Sequence, residues 1–230
     1  MEIAAMITLH EPDVALTDFA LAIECAIFTV WLRRTNQHAG SLRPAFVAFF
    51  TAIGVASLLG GIAHGFLPDE QSLLYRIVWT GTLIAIGCAS FASWAAGARL
   101  WLSDTGAARV TIFAGLLLAA YLVVVLFVSK AFVVAVVHYL PATVFLLVSF
   151  VVAYRRRHEQ FLMAGILGMV LTFVAAGIQQ GGVDLHPVYF NHNALYHLVQ
   201  GCALVLIFLA ARGVLQGKAD ARFASAESKV

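Results

Sequence analysis

Charge is what this chain has least of. Only 11% of its 230 residues are Asp, Glu, Lys or Arg, while 62% are hydrophobic. A soluble domain carries about 25% charged residues, so a water-soluble globule is excluded. Mean hydropathy is +0.92, and several apolar runs reach the ~20 residues that cross a bilayer. Cysteine is also scarce. Cys25, Cys88 and Cys202 fall in different apolar runs and form no CxxC pair. That excludes a disulfide framework and leaves them as small packing residues. The opening "MEIAAMITLHEPD" holds no Lys or Arg, so a secretory signal with its basic first region is not expected. HExxH, GxSxG and a phosphate-binding glycine loop are all missing, which removes the common soluble hydrolase and nucleotide-binding signatures. The last apolar run has no Lys, which argues against a Schiff-base retinal protein. Basic residues flank apolar runs rather than forming a patch of their own, so no nucleic-acid partner is expected.

What is present is a series of seven apolar segments. They run over about 14–32, 44–66, 73–98, two within 110–153, 160–180 and 190–212. The run from Val110 to Ala153 has 44 residues, interrupted only at Ser129-Lys130. That is twice one span, so two helices joined by a tight turn are expected there. Pro141 falls inside the fifth segment, where a kink is expected. The fold class expected is an all-α integral membrane bundle of seven transmembrane helices. It forms a single domain over 1–213, followed by a short, frayed polar cytoplasmic tail over 214–230.

Orientation follows from Lys and Arg. One set of segment ends holds Arg33, Arg34, Arg43, Arg99, Arg109, Arg155, Arg156, Arg157, Arg212, Lys218, Arg222 and Lys229, which is 12 of the 14 basic residues. The opposite set holds Arg76 and Lys130 together with Glu2, Glu11, Asp13, Asp18, Asp69, Glu70 and Asp184. The expectation is an N-terminus outside and a C-terminus inside, in a bacterial inner membrane. An odd number of spans agrees with dividing the 44-residue run in two.

The histidines are unevenly placed. His38 and His158 fall on the basic side, and His10 is in the outer N-terminal segment. His64, His138, His186, His192 and His197 belong to the outer half. Polar groups inside spans are functional candidates, because hydrocarbon gives them no partner. His64, in "SLLGGIAHGF", and His197, in "NHNALYHLVQ", lead the list. Asn193, His197 and Gln200 are four and three residues apart and share one helical stripe. His192 is five residues from His197 and points away from that stripe, which makes it an interfacial residue. Asn191 or Asn193 can cap the last helix. His138, just before Tyr139 and Pro141, can serve carbonyls freed by the kink. Asp18 lies near the outer edge of the first segment, where water can reach it. Glu24 is deeper, and is either protonated or paired with a polar group of another helix.

Seven spans, a histidine at the outer end of the second and an N/H-xxx-H pattern opening the seventh resemble one particular superfamily. It comprises the alkaline ceramidases, the progestin/adipoQ receptors and the Per1-type lipid remodelling proteins. "FNHNALYHLVQ" is also similar to a bacterial seven-span family related to it. The resemblance implies zinc held between the second and seventh spans, with His64 as first ligand and His197 as last. Asn193 stands where the middle histidine would be, Gly60 where a serine would be, and Tyr75 near the place of an early third-span aspartate. Asp69 and Glu70 precede that span and are the candidate catalytic carboxylates. His192, Asp184, His186, His138 and Glu24 are supporting candidates. A zinc ion with one open position would activate water and polarise a lipid carbonyl.

Three functional readings follow. The first is a ceramidase-like membrane hydrolase acting on a lipid amide or ester, with zinc as cofactor and membrane lipids as partners. The second is a receptor-like binder of a lipid or small molecule, without catalysis. The third is a haem protein using two of His64, His138 and His197 as axial ligands. A transporter is less favoured, because no broken spans sit in corresponding halves.

Overall fold

The computed structural model describes residues 9–34, 42–186 and 189–227, with side chains up to Gly217. His38, Glu2 and Lys229 lie outside these residues, and so do the side chains of Lys218 and Arg222. The described chain is helical, apart from one isolated antiparallel bridge between His186 and Phe190. The helices are α1 (Pro12–Arg34), α2 (Leu42–Phe66), α3 (Leu73–Trp101), α4 (Asp104–Phe127), α5 (Phe132–Arg157), α6 (Gln160–Gly181) and α7 (His192–Glu227). All seven are long and apolar enough to cross a membrane, and the 44-residue run does divide, at 128–131. Their outer faces carry exposed Ile23, Ile112, Leu116, Val137 and Val170, as lipid-facing helices should.

Helix ends follow local chemistry. Ser72 accepts the Tyr75 N–H at 3.2 Å and starts α3. Ser103 does the same for α4 with Gly106 at 3.3 Å. Asn191 caps α7, its Oδ1 accepting the N–H groups of Asn193 at 2.9 Å and Ala194 at 3.1 Å. A side-chain acceptor at this position satisfies backbone donors that have no partner within the helix. Pro141 falls inside α5, which is continuous through it. The backbone of α7 continues as helix to Glu227, past the 213/214 boundary, through a stretch with four Ala and no proline to stop it.

Six helices form a ring in the order α1, α2, α3, α5, α6, α7, with α7 closing back on α1; α4 packs outside, mainly on α3. Hydrocarbon gives helices no hydrophobic drive to associate, so close van der Waals approach does that work. Gly168 on α6 shows the need for a small residue. A methyl group there would come within 2.8 Å of the Ala203 carbonyl oxygen and of Ile207 on α7. Toward the arginine-rich end the ring is filled with aromatics. Phe28 stacks on Phe208 with centroids 4.3 Å apart, and Phe50 meets Phe28 edge-on at 5.4 Å and Phe49 at 5.1 Å. Phe46, Phe50 and Phe150 are wholly buried.

Candidate functional site

Toward the opposite end the ring is hollow. A cavity of about 380 Å³ is lined by residues of α1, α2, α3, α5, α6 and α7, within the range of small-molecule sites. It runs from His64 down to Ile53 along α2, eleven residues or about 16 Å. Its deeper wall mixes apolar Leu21, Ile53, Ile86, Ala89 and Leu140 with Ser57, Thr143, Thr172 and Gln200.

Three of the residues singled out in the sequence meet here. His64, Asn193 and His197 all line the cavity, and so does Gln200, so the stripe on α7 faces inward as a unit. Asp69 and Glu70 do not join them. Asp69 Oδ1 accepts the Gln71 N–H at 2.9 Å and its carbonyl accepts the Ser72 hydroxyl at 2.7 Å, so this residue shapes the turn into α3. Glu70 is exposed in the same turn. Neither lines the cavity. His192 bonds outward to Asp184, through its N–H at 2.6 Å and its ring Nδ1 at 3.0 Å. Those bonds hold the exposed Asp184 carboxyl below its ordinary range. His186 takes the Tyr189 N–H on Nδ1 at 3.2 Å and packs on that ring. His138 stacks on Tyr121 at 4.2 Å, away from the cavity, and its Nε2 has no partner among the described residues. Glu24 is half-buried on α1, where its Oε2 faces Gly201 of α7.

Two residues gain importance. Asp18 was expected near water, yet it is 4% exposed and lines the cavity. Its place is made by glycine: a methyl group at Gly60 would sit 3.0 Å from Asp18 Oδ2. The carboxyl therefore occupies room that a side chain of α2 would otherwise fill. Asp18 Oδ1 lies 3.4 Å from His197 Nε2. Glu11, which precedes α1, holds His64 Nδ1 at 2.5 Å. The backbone reinforces that contact, with the Glu11 N–H donating to the His64 carbonyl at 3.3 Å and the His10 N–H to the Gly65 carbonyl at 3.0 Å. In the same way Asp13 Oδ2 accepts the Asn191 N–H at 3.0 Å, tying the start of α7 to α1.

The network assigns the His197 tautomer. The Thr17 hydroxyl donates to the Asp13 carbonyl at 2.8 Å and the Val14 carbonyl at 3.0 Å. It is therefore an acceptor toward His197 Nδ1 at 3.2 Å, and Nδ1 carries hydrogen. Nε2 then faces Asp18 Oδ1 at 3.4 Å. One carboxyl and one imidazole stand side by side at the cavity wall, the imidazole oriented by Thr17.

Zinc needs several such donors converging on one point. No group of three His, Cys, Asp or Glu among the described residues is gathered for a metal ion. The His64 Nδ1 is engaged by Glu11, and both ring nitrogens of His197 face partners on α1. As arranged here, these three ring nitrogens are turned toward Glu11, Thr17 and Asp18.

Signals for the missed residues are partly visible in retrospect. Asp18 falls on the buried face of α1 with Val14, Leu21, Cys25, Phe28 and Leu32, spaced by four and three residues. In a span that is apolar all round, hydropathy does not mark that face.

Comparison with known sequences places residues 14–216 in a single family, described as a family of unknown function (DUF6962), and the chain belongs to it. No curated protein and no solved structure matches the chain.

Proposed function

We propose that this member of DUF6962 is a membrane-embedded binding protein for an amphipathic small molecule or single-chain lipid. The apolar part of the ligand occupies the lower cavity, and its polar end meets Asp18, His197 and Asn193. The observation that carries the reading is the cavity of about 380 Å³, whose wall mixes apolar Leu21, Ile53, Ile86, Ala89 and Leu140 with hydroxyl and amide groups in depth and gathers Asp18, His64, Asn193 and His197 nearer its mouth. The bundle is oriented with the N-terminus and the cavity mouth outside, a reading supported by the 12 of 14 basic residues at the other end. The test is saturable binding of a fluorescent single-chain amphiphile to the full chain in lipid nanodiscs. Ala176→Phe, which fills the cavity from α6, lowers affinity at least tenfold. Non-saturable uptake, or equal uptake by the variant, would end this reading. A C-terminal reporter active only outside would reverse the orientation.

A second reading, metal-assisted hydrolysis of a lipid amide or ester, has one observation in its favour. His64, His197 and Asp18 line the same cavity. It requires about one equivalent of zinc in the purified protein, lost in His64→Ala and His197→Ala but kept in His138→Ala. Less than about a tenth of an equivalent excludes it.

A further inference from the structure

The lining of the cavity discriminates by charge. Among the described residues neither Lys nor Arg lines it. The two basic residues at that end, Arg76 and Lys130, stand outside the lining. Among the described residues Asp18 is the one acidic group in the lining, and Glu11 is one contact further out, on His64.

Hydrogen-bond donors in the wall are largely engaged. Trp79 Nε1 donates to the Lys130 carbonyl at 2.9 Å, Gln179 Nε2 to Asn193 Oδ1 at 3.2 Å, and Gln200 Nε2 to Thr172 Oγ1 at 3.4 Å. The hydroxyls of Thr82, Thr143 and Thr172 donate to carbonyls one turn back on their own helices. Their lone pairs are what they offer to the cavity. An anion entering here would leave water for a wall without Lys or Arg, which is unfavourable.

Aromatic surface completes the picture. Trp79, Phe132, Tyr139, Phe173 and Tyr196 line the cavity. Trp79 stands between Tyr75 and Phe132, at 6.1 Å from each ring, and 6.4 Å from His64. Aromatic rings with a carboxyl beside them are the chemistry that holds ammonium groups, quaternary ones included.

Resting on the binding-protein reading above, we infer that the ligand is a lipophilic cation, an apolar amine or quaternary ammonium compound. Its charged nitrogen sits among Asp18 and the aromatic rings of the upper cavity, and its apolar portion extends toward Ile53.

The experiment uses three ten-carbon probes that differ in head group: decyltrimethylammonium, decyl sulfate and decanol. Each is titrated calorimetrically into the full chain in zwitterionic phosphatidylcholine nanodiscs, with empty discs as blank. The ammonium probe binds at least tenfold tighter than the sulfate. Asp18→Asn and Trp79→Leu each weaken the ammonium probe at least fivefold and weaken decanol by less, so the preference for ammonium over decanol falls, while saturable decanol binding reports that the cavity is intact. Sulfate binding as tightly as ammonium overturns the inference, as does unchanged ammonium affinity in both variants. If decanol and sulfate bind but ammonium does not, the cation assignment falls and the binding cavity stands. If no probe saturates, both fall.

Discussion

Toward the arginine-rich end, the ring of helices is filled by Phe28, Phe46, Phe49, Phe50, Phe150 and Phe208, buried ring against ring. Toward the His64 end, the same six helices enclose about 380 Å³, and polar side chains from three of them meet across the space. The helices do not change in kind between the halves; the side chains do. The rings of α1 and α2 give way to Asp18, Ala56 and Gly60, and the rings that remain, Trp79, Phe132, Tyr139, Phe173 and Tyr196, stand around the space instead of filling it. A bilayer supplies no hydrophobic drive between helices, so the filled half carries the association and the hollow half is free to carry a ligand.

Substitutions can break that contrast. The largest effect belongs to Phe50→Ala, which opens a void where no exposure exists; the loss is about 3–5 kcal/mol, read from unfolding in mixed micelles. Gly168→Leu drives a side chain into the Ala203 carbonyl and Ile207 and destabilises by about 1–3 kcal/mol. Asn191→Ala removes the cap of α7 and destabilises by about 1 kcal/mol. Ala176→Phe sharpens the contrast from the other side. It costs less than Phe50→Ala, because the new ring enters empty space rather than packed core, yet lowers amphiphile affinity at least tenfold. If it destabilises as strongly as Phe50→Ala, the hollow half is packed core after all.

The smallest effect is at the loop before α7. The Asp184 carboxyl is held below its ordinary value by His192. Its contribution is therefore present above the unfolded-state value and lost as pH falls through the lower folded-state value. Amide exchange at the His192 N–H, corrected for intrinsic rate, accelerates across that acidic window in the native protein. In Asp184→Asn the same step is absent.

Much of this fold is legible in the sequence, because hydrocarbon thickness sets helix length and Arg placement marks one end. The division at Ser129-Lys130 and the inward stripe of Asn193, His197 and Gln200 both follow from spacing alone. The partners of those residues do not. Glu11 precedes its helix and Asp18 looks like an edge residue, yet both are fixed by contacts to α2 and α7 that no local pattern encodes. The cavity is invisible for a related reason. A wall of Ala, Ile and Thr has the same hydropathy as a packed interface, and only the ring order of the helices leaves space between them. Asp69 and Glu70 illustrate the converse, since carboxylates close to a site in sequence are drawn off by the geometry of their own turn.

The short segment ahead of α1 also bears on how the protein is handled. His10 and Glu11 are stitched by their backbone N–H groups to the last turn of α2, so the chain enters the bundle across the rim of the cavity. A fusion or truncation that reaches His10 and Glu11 therefore acts on the cavity rim as well as on the start of α1.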